Sequence, residues 1–186
     1  MDPLTLITTF AGLAGTAARW IRDAAVTDDG FIRAYYLEVS RNIEILKAID
    51  IAALKDTDIN APQFRSLIGA LETGVGASLL CTGNEKRKKI LTFLKAGLEI
   101  QPPATGLPLE QDDESGQAVP ALTLRVNVLQ AVWFTVHKIE LLKALSAMDG
   151  PFNHGFRLNV RVANIQERFV RIRGKLGETG AMRELR

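Results

Sequence analysis

Residues 4–18 carry no charged side chain, and charge then returns abruptly with Arg19, Arg22 and Asp23 around Trp20. Something apolar must cover such a stretch. In helical projection Leu6, Phe10, Leu13, Ala17, Ile21 and Ala24 follow steps of three and four, whereas Thr5, Thr8, Thr9, Gly12, Thr16, Arg19 and Asp23 fall on the other side. The segment reads as an amphipathic helix with a mild polar face. Its 15 uncharged residues fall short of the roughly 20 that span a hydrocarbon core. The only charge before Leu4 is Asp2, whereas a secretory signal carries basic residues there. The segment is therefore expected to be retained, either as bundle core or as a surface for a membrane or partner, with Leu6, Phe10, Leu13 and Trp20 as its contact residues.

A chain of 186 residues buries enough surface to stand without metal or disulfide staples. Cys81 is the single cysteine, which forbids an internal bridge and fits a reducing, cytoplasmic compartment, with peripheral membrane attachment as the variant. Its neighbours Leu79 and Leu80 lead us to expect a buried, inert thiol. The net charge of +2 supports no global attraction to nucleic acid.

Between Gln101 and Pro120 the chain has Glu110, Asp112, Asp113 and Glu114, no Lys or Arg, and four prolines. This is the composition of a flexible acidic linker. It divides the expected single domain into N-terminal helices (1–100), a linker (101–120), a C-terminal helical pair (121–177) and a tail (178–186).

The expected fold is all-α, a bundle of five to six helices with this long acidic, Pro-rich loop. A helix from Phe31 to about Leu54 should turn Ile32, Tyr35 or Tyr36, Val39, Ile43, Leu46 and Ile49 or Asp50 inward. Another follows Asn60-Ala61-Pro62, with Asn60 as cap and Pro62 in the first turn. Gly69, Gly74 and Gly76 interrupt helical sequence and imply close helix approach or a bend. A short helix is expected from Glu85 to about Ile100. Leu122 to Met148 reads as one long helix with Leu122, Val126, Leu129, Trp133, Val136 and Ile139 inward, although its first residues also alternate as a strand would. In the last helix Leu158, Val162, Ile165, Phe169, Ile172 and Leu176 keep helical phase for five turns. The heptapeptide from Ile43 to Ile49 echoes that from Ile139 to Leu145, for which convergence on bundle-helix composition is the simpler account and a duplicated hairpin the other.

The inventory of reactive side chains is small. His137 sits beside Trp133 and Val136 and is expected to be a partly buried structural histidine, while His154 lies in a Gly/Pro-rich loop. Neither has a companion at metal-ligand spacing, and no phosphate loop or nucleophile elbow is present. The chain is expected to be no enzyme, without cofactor or metal. Two basic regions are the candidates for phosphate or anion binding: Lys86, Arg87, Lys88 and Lys89, and the last helix, where Arg161, Arg168 and Lys175 recur every seven residues. They serve equally well as solvated faces or as a seat for the acidic linker.

The opening Met1-Asp2-Pro3-Leu4-Thr5-Leu6-Ile7, followed by Ala11-Gly12-Leu13-Ala14-Gly15, resembles the starts of HeLo-type domains and of N-terminal helical modules of bacterial conflict systems. The resemblance covers about twenty residues. It implies a helical bundle whose first helix targets membranes when the domain assembles.

The function expected is a non-enzymatic module that engages membranes through its first helix, with anionic lipid meeting the basic clusters. The alternative is an adaptor that binds a protein partner or a second copy in a groove, and nucleic-acid binding ranks third.

Overall fold

The computed structural model describes residues 27–51, 53–55, 59–81, 87–101, 123–148 and 157–183. Leu6, Phe10, Leu13, Trp20, Lys86, the acidic linker, Leu122 and His154 lie outside these residues. Among the described residues the chain is an all-α bundle of seven helices with one two-stranded ladder.

Helix α1 (Asp28–Lys47) begins where Thr27, in extended conformation, accepts the Gly30 N–H on its Oγ1, and Asp28 and Asp29 sit in the first turn where the helix dipole favours them. Ile32, Tyr35, Val39, Ile43 and Leu46 are buried, as their spacing predicts. The helix stops at Lys47 rather than running on to Leu54. Asp50 accepts the Ala53 N–H and turns the chain into a 3-10 segment, Ala53–Lys55.

Helix α2 (Pro62–Ala70) has its proline in the first turn, but its N-cap is Ala61 with no side-chain cap bond. Asn60 instead accepts from the Arg65 guanidinium. Between α2 and α3 (Gly74–Leu80) the chain breaks at Glu72, and buried Asn42 replaces the lost helical bonds: its Nδ2 donates to the Glu72 carbonyl at 2.6 Å, and its Oδ1 accepts the Glu72 N–H at 2.8 Å. Arg41 pairs with the Glu72 carboxylate beside them. At Gly76 the approach is close, because a Cβ there would meet Val136 Cγ2 at 3.0 Å and both Glu38 Oε1 and Tyr35 Cε2 at 3.3 Å.

Helix α4 (Lys88–Lys95) ends earlier than its apolar sequence suggests, and the chain continues as β1 (Gly97–Ile100). Strand β2 (Leu124–Asn127) pairs with it antiparallel, Gly97 opposite Asn127 and Ile100 opposite Leu124. The alternation around Leu124 and Val126 is therefore strand, not helix. Asn127 closes the ladder with a capping box: it accepts from the Gln130 N–H, while Gln130 accepts from the Asn127 N–H. This starts α5 (Val128–Ala147), followed by α6 (Leu158–Gly177) and the short α7 (Gly180–Arg183).

Helix α6 lies between α1 and α5 and packs against β1. Its six phased apolar residues are all buried. Helix α5 behaves differently. Among the described residues of the stripe read from sequence only Ile139 is fully buried, with Val126 and Val136 partly buried against the core and Leu122 outside the described residues; the inward residues of the helix are Val128, Ala131, Val132, Thr135, Ile139, Leu142 and Ser146. The echo between the two heptapeptides appears in burial, since Ile43 and Ile139, and Leu46 and Leu142, all reach the core.

Candidate functional site

The basic regions meet in part. Lys88 and Lys89 of α4 and Lys175 of α6 converge on a cleft of about 500 Å³ with Ile32, Phe93 and Ala181 along it. Its charge is balanced. Lys89 Nζ pairs with Asp29 at 2.7 Å and Lys175 Nζ with Glu178 at 2.7 Å, while the Lys89 backbone N–H donates to Asp28. Such exposed pairs contribute at most about 1 kcal/mol each, so an incoming anion competes with them at little cost.

The other basic residues point elsewhere. The Arg87 guanidinium lies 5.4 Å from the Phe31 ring centroid. Arg161 and Lys175 are separated by about 21 Å of helix, and a seven-residue step falls about 20° short of full turns, so the stripe is neither compact nor straight. Arg161 is half-buried. Arg168 is only 8% exposed: its guanidinium stacks on Phe134 at 3.7 Å, and its Nη1 donates to the Asn164 carbonyl and to Asn164 Oδ1, both at 3.1 Å. Burial holds its pKa below the usual arginine value, with Glu167 opposing the shift. Glu167 pairs with Arg171 at 2.7 Å.

Arg168 closes one side of a larger, apolar groove. Leu80 of α3, Val126 of β2 and Leu129, Trp133 and Phe134 of α5 line about 680 Å³ around it. Leu129 is 40% exposed and Trp133 55%. Four residues further along, His137 lies flat against Trp133, with ring centroids 5.1 Å apart and planes 11° from parallel. Leu129, Trp133 and His137 thus form one outward ridge at helical i, i+4 spacing. This overturns the expectation that Trp133 and Leu129 face the core and that His137 is partly buried. The exposed Cys81, next to Leu80, likewise replaces the buried thiol expected from its neighbours.

Sequence reasoning missed a second feature, the buried Glu38. Its carboxylate accepts the Val75 N–H at 2.7 Å and the Gly76 N–H at 2.9 Å. Burial pushes its pKa up to about 7, against those two N–H groups, which favour the charge; Glu72 adds to the rise and Lys143 opposes it. The same burial, with Glu38 beside it, raises Tyr35 well above the ordinary phenol value. This node fixes α3 between α1 and α5. On the surface above it, Thr73 donates to Glu140 at 2.6 Å, which lowers the Glu140 pKa.

Among the described residues, no group of His, Cys, Asp or Glu is placed to hold a metal, and no helix is long and apolar enough to cross a membrane. Neither a protein-family model, nor a curated protein, nor a solved structure matches the chain.

Proposed function

We propose that this protein is a non-enzymatic interaction module that receives an amphipathic helix in the groove along α5. The observation that carries this reading is the outward ridge of Leu129 and Trp133 beside a groove lined by Leu80, Val126 and Phe134. Large apolar side chains rarely cluster in the open unless something covers them, and an aromatic anchor over a pocket is the usual energetic centre of a helix-in-groove contact. Arg168, stacked on Phe134 with Glu167 held by Arg171, gives the groove a positive edge and a preference for a carboxylate flanking the incoming apolar face.

A second reading is membrane engagement, favoured by the charge-free residues 4–18 and by the exposed Lys88 and Lys89. The two separate by experiment. A panel of labelled amphipathic Leu/Glu and Leu/Lys helical peptides is titrated against the full chain, its Phe10→Glu variant and a Leu129→Glu/Trp133→Glu variant, alongside sedimentation with neutral and anionic liposomes. The adaptor reading expects saturable peptide binding that prefers Leu/Glu and is lost with the groove substitutions. Sedimentation with anionic liposomes alone, without peptide binding in any form, favours the membrane reading.

A further inference from the structure

We propose that the resting occupant of the α5 groove is the protein's own N-terminal segment, residues 4–25, folded back on the bundle in cis. This rests on the groove reading above and says what fills the groove before a partner does.

Three observations on different parts of the chain carry it. The first is matched need. The groove exposes Leu129 and Trp133 over an apolar wall, and residues 4–25 present the stripe of Leu6, Phe10, Leu13, Ala17, Ile21 and Ala24, in which the uncharged run 4–18 is too short to span a bilayer. The second is charge. Two cations already stand by Phe134 of the groove wall, Arg168 at 3.7 Å and Lys138 at 5.7 Å from the ring centroid. A helix laid across them must bring no further positive charge. Residues 4–18 bring none.

The third is reach. Helices α1 and α5 run in the same direction, because α3 meets Tyr35 and Glu38 opposite Val136 near Gly76, and further along the connecting chain at Glu72 and Thr73 meets Asn42 and Glu140. Both helices therefore begin at one end of the bundle. Helix α4 measures the gap there: the Lys89 N–H bonds Asp28, and the Ala96 carbonyl accepts from the Val128 N–H. Seven helical residues between those bonds span about 10 Å, whereas 22 residues in helix span about 33 Å. The chain preceding Thr27 thus starts close to the groove and is long enough to lie along the whole Val126–His137 ridge. A tether that short gives an effective concentration in the millimolar range, which favours self-docking over weak partners. Release exposes two apolar faces at once, the groove and the segment.

The test uses the full chain with Trp20→Phe, which leaves Trp133 as the sole tryptophan. Acrylamide quenching of Trp133 is read with and without Phe10→Glu, across a wide dilution series, with far-UV circular dichroism to confirm folding. The result expected is a Trp133 shielded from quencher at every dilution, with quenching rising several-fold when Phe10→Glu is added. If that variant misfolds, Leu129→Glu, on the exposed side of the groove, is expected to give the same rise. Free quenching in the Trp20→Phe chain, unchanged by either substitution, overturns the proposal. Shielding lost on dilution also overturns it and assigns the groove to a second copy. Failure here leaves the adaptor reading standing if the peptide panel binds, and failure of the panel alone leaves the self-docked segment standing.

Discussion

Helices α5 and α6 are both 20 residues long and lie side by side, yet they use their surfaces in opposite ways. In α6 one apolar stripe is buried and the rest of the helix is mostly polar or charged, so spacing alone identifies the inner face. In α5 apolar residues run around the whole circumference, and two of the largest, Leu129 and Trp133, are left outside. A helix that is apolar all round has a second face to cover, and periodicity does not say which face meets the core.

The sharpest test of this contrast is truncation on the two sides of α5 beside the core of α6. Ile165→Ala and Ile139→Ala, both fully buried, should each lose about 2–5 kcal/mol in urea unfolding. Leu129→Ala should lose about 1 kcal/mol or less. Equal losses at Ile139 and Leu129 would break the comparison.

The node that holds the inner face of α5 against α3 makes the next largest effect, and it depends on pH. The Glu38 pKa is raised to about 7 in the folded protein from 4.5, so the folded state holds the proton more tightly than the unfolded one. That contribution is full below the unfolded value and is lost as pH rises through 7. The loss is roughly 3 kcal/mol at 1.4 kcal/mol per pK unit. The difference in unfolding free energy between the wild type and Glu38→Gln, followed from pH 4 to 8, should show that slope. A flat difference would place the carboxylate in a solvated site.

Glycine substitutions sharpen the same geometry. Gly76→Ala drives a Cβ into Val136 and Tyr35 and should cost about 1–3 kcal/mol. Gly69→Ala meets nothing within 4 Å and should gain up to about 1 kcal/mol in thermal unfolding. At the start of α5, Asn127→Ala removes the capping box and should cost about 1 kcal/mol. A larger loss there would mean that the cap also holds the ladder.

These contrasts explain what could be read from sequence. The helical class, the inner faces of α1 and α6 and the close approach near Gly76 follow from spacing and glycine placement. The ladder was hidden because Leu124 to Asn127 fits a strand and a helix equally, and the choice is made by pairing with residues 97–100, a non-local contact. The basic regions were visible as composition, but only the fold shows that Lys88, Lys89 and Lys175 share a cleft while Arg168 packs on Phe134. Glu38 gave no local signal, since its importance lies in two N–H groups 37 and 38 residues away. The groove was missed for the reason that defines α5: Leu129 and Trp133, assigned inward, face outward while Ile139 on the same helix is buried.

The most direct test of the account is hydrogen exchange of residues 4–18 in the full chain and in the Leu129→Glu/Trp133→Glu variant. If the outer ridge of α5 is a covered docking face, these amides are protected in the full chain and lose protection in the variant, while α5 and α6 keep theirs. Equally fast exchange in both proteins, with the bundle intact, would show that the ridge is uncovered and contradict the account.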